Sequence, residues 1–159
     1  MNHPIVDIQQ ALNKAQKYCY VQDRCIYDIR KKLTQWLVDP SIHNEVIESL
    51  IEDKFIDENR YLRSYVLGKF RNNKWGKNKL RFELKHKGFN GNIIETALLE
   101  INEEKYQEVI NTLILKKRKS IKDTDEYQIR IKLYRFASSK GFESQHINIA
   151  IEELNIENI

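Results

Sequence analysis

The chain has 159 residues, of which 41% are hydrophobic and 31% charged, with a formal net charge of +4. This composition excludes a chain that stays disordered for want of apolar residues. The longest apolar stretch, residues 109–115, is interrupted by Asn111 and Thr112, so no segment is predicted to cross a bilayer. The amino terminus carries Asp7 and no basic stretch before an apolar run, which predicts no secretory signal and a cytoplasmic protein.

The positive charge is concentrated in the middle of the chain. Residues 60–90 contain 10 Lys/Arg and one acid, Glu83, a net charge of +9. The flanking segments, residues 1–59 and 91–159, have net charges of −3 and −2. The small total therefore conceals a basic block between two mildly acidic flanks.

Helices are predicted throughout, because the chain has only two prolines and five glycines and its apolar residues recur at helical spacing. First helices of three repeated units are expected at about residues 8–20, 59–74 and 103–119. In chain order, the clearest apolar faces are Val46–Ile51, Tyr61–Phe70, Ile93–Ile101 and Tyr106–Ile114. The sequence predicts an all-α protein.

Glycines and polar residues predict where the helices end and begin. Gly88 and Gly141 each follow a lysine and precede a phenylalanine, as in a helix that stops at a left-handed residue. Asn44, Asn90 and Asp125 are the expected N-caps of the helices that follow them.

An internal repeat accompanies these stops. At a shift of 53 residues, Leu80 falls on Leu133, Gly88 on Gly141 and Ile94 on Ile147, and a third copy lies upstream. We predict three tandem three-helix repeats, 1–57, 58–102 and 103–159, that stack into an elongated, curved array.

Catalytic groupings are not evident. The phosphate-binding glycine loops and the common hydrolase motifs are missing, and the four histidines are scattered. Cys19 and Cys25 lack a companion pair for a zinc site; they are interpreted as small buried residues, with a nucleophile as the alternative. We expect neither enzymatic activity nor a cofactor or metal.

The basic block predicts a binding surface. Lys77, Arg81 and Lys85 recur every four residues and should form one exposed stripe, which suits a polyanion or an acidic protein groove. An ordinary solvated face is the alternative interpretation. The remaining candidates are four residues on one face of the preceding helix and four at or near the repeat-equivalent positions: Arg60, Arg63, Arg71 and Lys74, then Arg30, Lys31, Arg130 and Tyr134.

Aromatic residues and a second basic run have structural interpretations. Tyr134 could stack on a base or pack at a rim, and packing is slightly favoured. Trp36 and Trp75 are expected to be core anchors. The run 116–119 ends a helix, where the helix dipole favours cations whether or not they bind a partner.

The run Phe55–Leu62, the sequence Trp75-Gly76-Lys77 and the stop at Lys87-Gly88-Phe89 resemble the middle repeat of the RecX regulatory family. Residues 29–33 upstream and residues 133–154 downstream resemble that family's first and third repeats. Two departures are that the first repeat has Leu37 and Pro40 where a Lys-Gly stop is expected, and that Ala137 stands where the middle repeat has the larger Leu84.

The resemblance implies a bacterial cytoplasmic protein without enzymatic activity, which we expect to be a monomer. It implies binding to the RecA recombinase filament on single-stranded DNA, along the filament groove, and inhibition of strand exchange, ATP hydrolysis and coprotease activity. The alternative is a stand-alone helical DNA-binding protein, for which the same basic stripes would serve.

Overall fold

A computed structural model of the protein describes residues 4–154, and these residues form an all-helical fold with one isolated β-bridge, between Ile5 and Val38. The prediction of an all-α repeat protein is confirmed. None of the described helices is long and apolar enough to cross a membrane. The helices are α1 (Ile8–Val21), α2 (Ile26–Gln35), a short 3-10 helix (Pro40–Ile42), α3 (His43–Glu52), α4 (Glu58–Asn73), α5 (Lys77–His86), α6 (Gly91–Leu98), α7 (Glu103–Ser120), α8 (Glu126–Ser139) and α9 (Ser144–Glu153).

The predicted helix stops are confirmed. Gly88 and Gly141 have φ of +87° and +93°, the left-handed conformation that glycine adopts without a steric penalty. Leu37 takes the same role in the first repeat, at φ +59°. In each repeat the N–H of the next residue donates to a carbonyl five positions earlier, as Val38 does to Leu33 at 2.9 Å. The first repeat therefore stops its second helix in the same way without a glycine.

The predicted N-caps hold at two of three positions. Asn90 and Asp125 cap α6 and α8, because their side chains accept hydrogen bonds from first-turn N–H groups. The prediction for Asn44 is wrong, since α3 already begins at His43. The preceding 3-10 helix is capped instead by Asp39, whose carboxylate accepts from the Ser41 N–H at 2.9 Å.

The residues divide into two compact units, Met1–Tyr65 and Val66–Ile159. In the first unit α1, α2 and α3 pack against one another. Its core is mainly aliphatic, and small residues on α1 allow the neighbouring helices to approach closely. The fully buried members of this core include Ala11, Ala15, Ile29, Leu33, Val46 and Leu50.

The second unit contains α5 to α9, with α5 packed on α6 and α7, α8 and α9 packed together. The repeat-related pairs Leu80 and Leu133, and Ile94 and Ile147, are all fully buried. Tyr106, also fully buried, lies between Phe70 and Phe142 with ring centroids 5.7 and 5.4 Å away.

Two glycines bring the middle and last repeats into backbone contact. The Gly76 N–H donates to the carbonyl of Lys140 at 2.7 Å, and the Asn78 N–H donates to that of Gly141 at 2.8 Å. A Cβ on Gly76 would lie 2.3 Å from the carbonyl carbon of Gly141, and one on Gly141 would lie 2.3 Å from the Cβ of Lys79. The close approach therefore requires glycine on both sides. We call it the glycine crossing.

Candidate interaction surface

Three candidates, Arg30, Arg81 and Tyr134, occupy equivalent positions on the second helices of the repeats. Arg30 donates to the Asn44 side chain at 2.7 Å, and the Arg81 guanidinium binds both carboxylate oxygens of Glu95 at 2.5 and 3.2 Å.

The Tyr134 hydroxyl is hydrogen-bonded to that of Ser144 at the start of α9, so each of the three side chains reaches the third helix of its own repeat. The sequence carried a signal for two of these pairs, because both arginine partners lie 14 residues downstream.

The Arg81–Glu95 pair is the best-formed of these contacts. The hydrogen bond from Arg81 lowers the pKa of the Glu95 carboxyl, and Glu95 in turn raises the pKa of Arg81. Two parallel hydrogen bonds fix the guanidinium plane. Arg81 therefore holds α5 against α6 while part of its side chain remains exposed.

The expectation that Lys77 belongs to an exposed stripe is wrong. Its residue is only 8% exposed, and its ammonium group pairs with Glu103 at the start of α7 and lies 4.8 Å from the centroid of the Tyr106 ring. The Lys77 N–H donates to the Tyr106 hydroxyl at 2.9 Å, and that hydroxyl donates to Glu143 at 2.6 Å. Lys77 is thus part of a polar network between the middle and last repeats.

Burial and hydrogen bonding shift the pKa values of two groups in this network. Desolvation raises the pKa of Tyr106, and the hydrogen bond to Glu143 acts in the same direction. The hydrogen bond from Lys77 lowers the pKa of Glu103. Spacing on α5 alone could not reveal the network, because Glu103 belongs to α7 and Glu143 directly precedes α9.

Arg71 and Lys85 remain exposed in the second unit. Neither forms an ion pair within residues 4–154. Lys74 directly follows α4 at φ +56°, and its ammonium donates to the carbonyl of Arg71 at 2.7 Å. Arg71 and Lys85 are therefore the candidates best able to meet a partner there.

The candidates of the first unit are exposed, and the contacts of Arg60 and Arg30 are well defined. Arg60 binds the Asp23 carboxylate at 2.8 Å, and Ser64 donates to the other oxygen of the same carboxylate at 3.1 Å. Arg30 binds Asn44, as described above. Lys31 and Arg63 project from α2 and α4 as exposed cations.

The last repeat places Arg130 and Tyr134 in one groove. Arg130 pairs with Glu126 one turn earlier at 3.2 Å. The groove encloses about 330 Å³ between α8 and α9, and its wall includes Ile131 and Ile151. Tyr134 is half-buried there, which agrees with the packing interpretation of its ring.

The two tryptophans differ from the expectation of core anchors. Trp75 is only half-buried, and its ring has the ammonium groups of Lys69 and Lys79 at 4.9 and 4.6 Å from its centroid. These contacts are cation–π interactions at the surface, so Trp75 is not a core residue. Trp36 packs against the core of the first unit while remaining partly exposed.

The cysteines have the features of structural residues. Desolvation raises the pKa of the Cys19 thiol to about 11, which keeps it protonated and unreactive near neutral pH. Cys25 is fully buried at the N-cap of α2. Residues 4–154 contain no cluster of three His, Cys, Asp or Glu side chains that could hold a metal ion.

Comparison with protein families identifies two of the repeats. Residues 57–98 match the family model for the second three-helix domain of RecX, and residues 103–151 match the model for its third three-helix domain. Together these matches cover more than half of the chain.

Curated proteins and solved structures agree with the family models. The chain is 32% identical to the regulatory protein RecX of Bacillus mycoides over 95% of its own length and 56% of that protein. It is 30% identical to the regulatory protein RecX of Clostridium acetobutylicum, over 96% of the chain and 77% of that protein. The chain thus spans little more than half the length of the first relative.

Two crystal structures share the fold. RecX from Lactobacillus salivarius superposes with a TM-score of 0.80 at 25% identity, over 96% of this chain and 97% of that one. A second regulatory protein RecX gives a TM-score of 0.80 at 24% identity, over 96% and 72% of the two chains. With three-helix repeats, matched domain models and a relative covered over most of its length, the chain belongs to the RecX family of regulatory proteins.

Proposed function

We propose that this chain regulates a RecA recombinase filament assembled on single-stranded DNA in the bacterial cytoplasm. It binds the filament and inhibits strand exchange, ATP hydrolysis and the coprotease activity. The observation that carries the proposal is membership of the RecX family across the middle and last repeats.

The charges of the second unit favour particular contact residues. Arg71 and Lys85 are exposed and without ion pairs among the described residues, so their binding energy is not spent inside the protein. Cations of this kind attract an acidic protein surface or a nucleic-acid backbone over long range. Arg81 lies between Arg71 and Lys85 in the sequence. Its partly exposed guanidinium is oriented by Glu95 and adds a third positive charge.

In the first unit, Lys31 and Arg63 are also exposed, and Arg30 and Arg60 contact Asn44 and Asp23. Lys77 is excluded from the proposed contact surface because it is buried against Glu103. A glutamate at position 77 would place two carboxylates together and destabilise the fold, so that substitution cannot test binding.

The test is inhibition of the single-stranded-DNA-dependent ATPase of purified RecA. The variant Arg71→Gln/Lys85→Gln removes two exposed charges and should raise the half-inhibitory concentration about tenfold, as expected when exposed steering charges are lost from an interface. The matched control is Lys17→Gln/Lys105→Gln, which removes two exposed charges elsewhere and should inhibit like the natural chain.

Equal inhibition by the two double variants would reject these contact residues, and a natural chain that leaves RecA activity unchanged would reject the function. The DNA-binding alternative makes a different forecast. If the chain merely competes for DNA, the inhibitory potency of every variant will follow its affinity for naked single-stranded DNA.

A further inference from the structure

A basic groove lies at the junction of α7 and α8 in the last repeat. It encloses about 530 Å³ and is distinct from the contact residues proposed above. Its wall comes from the end of α7, the segment joining the helices, and the middle and second half of α8. The lining residues are Lys117, Ser120, Ile121, Lys122, Lys132, Arg135 and Phe136.

The groove carries a surplus of positive charge. Lys132 pairs with the nearby Asp123 at 3.2 Å, and the backbone N–H of Asp125 together with Lys132 lowers the pKa of that carboxyl. Lys117, Lys122 and Arg135 form no ion pair within the described residues. Four lining cations therefore face one acid, which leaves three uncompensated charges in a concave site.

The wall of the groove is held in place. Arg118 donates to the carbonyl of Ile121 at 3.3 Å, and the Ser120 hydroxyl donates to that of Lys117 at 2.7 Å. The contact from Arg118 ties Ile121, the residue before Lys122, to the end of α7. The cations accordingly come from a structured surface, which lowers the entropy lost on binding an anion.

Phe136 indicates which anion fits. Its ring lies in the lining, half-buried, with the Lys117 ammonium 5.1 Å from the ring centroid. An aromatic face beside several cations is the pairing that binds single-stranded nucleic acid, because bases stack on the ring while the cations meet phosphates. The Asp and Glu side chains of an acidic peptide would satisfy the cations but have no flat ring to place on Phe136.

We propose that the α7–α8 groove is a binding site for the phosphodiester backbone of a single nucleic-acid strand, with one base placed on Phe136. The site does not depend on recognition of RecA. The proposal gives Lys117 a role beyond its favourable position at a helix C-terminus. It also adds Lys122, Lys132 and Arg135, which the charge pattern of the sequence did not single out.

The experiment measures the fluorescence anisotropy of a labelled oligothymidylate titrated with the full chain. The variant Lys117→Gln/Lys122→Gln should weaken binding about tenfold and reduce the slope of log affinity against log salt by about 1.4, the value for two lost single-strand phosphate contacts. The control Lys116→Gln/Lys119→Gln removes exposed charges from the same helix end but outside the groove, and should keep most of the affinity.

A second variant, Phe136→Leu, keeps the apolar bulk and removes the ring. It should weaken binding about tenfold with an unchanged salt slope, because stacking is lost and the phosphate contacts remain. Circular dichroism of each variant verifies that its helices are intact.

Equal losses in the groove and control lysine variants would overturn the site, as would undetectable binding of the oligothymidylate by the natural chain. Displacement of the oligonucleotide by polyglutamate at equal charge concentration would assign the groove to an acidic protein instead. The anisotropy titration separates this proposal from the preceding one, since the groove variant should lose DNA affinity while Arg71→Gln/Lys85→Gln, which weakens inhibition in the RecA assay, retains it.

Discussion

The two units of the chain are stabilised by different interactions. The interior of Met1–Tyr65 is mainly aliphatic, with alanines on α1 against Ile29, Leu33 and Leu50. In Val66–Ile159 the glycine crossing and a buried polar network join the middle repeat to the last. Aliphatic packing tolerates changes of shape, whereas a backbone contact and a hydrogen-bond network depend on individual atoms. The second unit should therefore respond more sharply to small substitutions.

The largest effect is expected at the glycine crossing. Gly141→Ala combines a left-handed φ of +93° with a Cβ 2.3 Å from the Cβ of Lys79. Backbone strain and overpacking together should lower the free energy of unfolding by about 3 to 5 kcal/mol in urea denaturation.

Gly88→Ala is the matched control for this substitution. Gly88 has φ +87° with no atom within 4 Å of the added methyl group, so it carries the strain without the collision. Its cost should be about 1 to 2 kcal/mol. Equal costs at the two glycines would show that the close approach contributes little to stability.

Truncating a core side chain in the first unit tests whether its aliphatic packing tolerates changes of shape. Leu50→Ala removes a fully buried side chain and should cost about 2 to 4 kcal/mol through lost burial and the remaining cavity. Leu50→Met keeps the volume and should cost less than about 1.5 kcal/mol. A Met variant as damaging as the Ala variant, measured by the same denaturation, would mean that this core is as exacting as the polar network.

The polar network should lose about 1 to 3 kcal/mol in the variant Tyr106→Phe, because the Lys77 N–H loses its buried acceptor and Glu143 its donor. Tyr134→Phe removes a hydroxyl that bonds Ser144 at the surface and should change the free energy of unfolding by less than about 0.5 kcal/mol. If the two variants unfold alike, the network adds nothing beyond a surface hydrogen bond.

The smallest expected effect is the loss of stability at acid pH when the Lys77–Glu103 ion pair is broken. The pKa of Glu103 lies below its ordinary value of 4.5 because of Lys77, so the ion pair contributes fully above pH 4.5 and is lost as the pH falls through the lower folded value. Since the Glu103 side chain is 64% exposed, the contribution should be less than about 1 kcal/mol.

Glu103→Gln should therefore reduce the acid-induced fall in melting temperature between pH 5 and pH 3. Glu104→Gln, a neighbouring exposed glutamate, should leave that fall unchanged. An identical fall in the two variants would argue against the Lys77–Glu103 pair.

The sequence predicted those features that depend on local chemistry. Apolar spacing located the first helices of the middle and last repeats, the first helix of the first repeat was placed by its position in the repeat, and the glycine stops at 88 and 141 adopt the expected conformation. The prediction for Asn44 failed because a 3-10 helix, capped by Asp39, leads directly into α3 at His43. The local pattern of polar and apolar residues could not show that α3 would begin at His43, one residue before Asn44.

The candidate surface was less predictable, because burial depends on which helix lies alongside. Spacing placed Lys77 with Arg81 and Lys85 on one side of α5, but the position of α7 decides that only Lys77 is covered. Trp75 was assigned to the core as a large aromatic residue, but it is half-buried, with a lysine from α4 and one from α5 beside its ring. Such outcomes are set by tertiary contacts and not by the periodicity of one helix.

The two tryptophans of the chain fall one in each unit, at Trp36 and Trp75. Indole emission can therefore report on each unit separately once the other ring is replaced by phenylalanine. The pair of ammonium groups around Trp75 makes its emission wavelength sensitive to the local field, so a polyanion that draws Lys69 or Lys79 away would shift the spectrum. The protein carries its own optical sensor beside the glycine crossing.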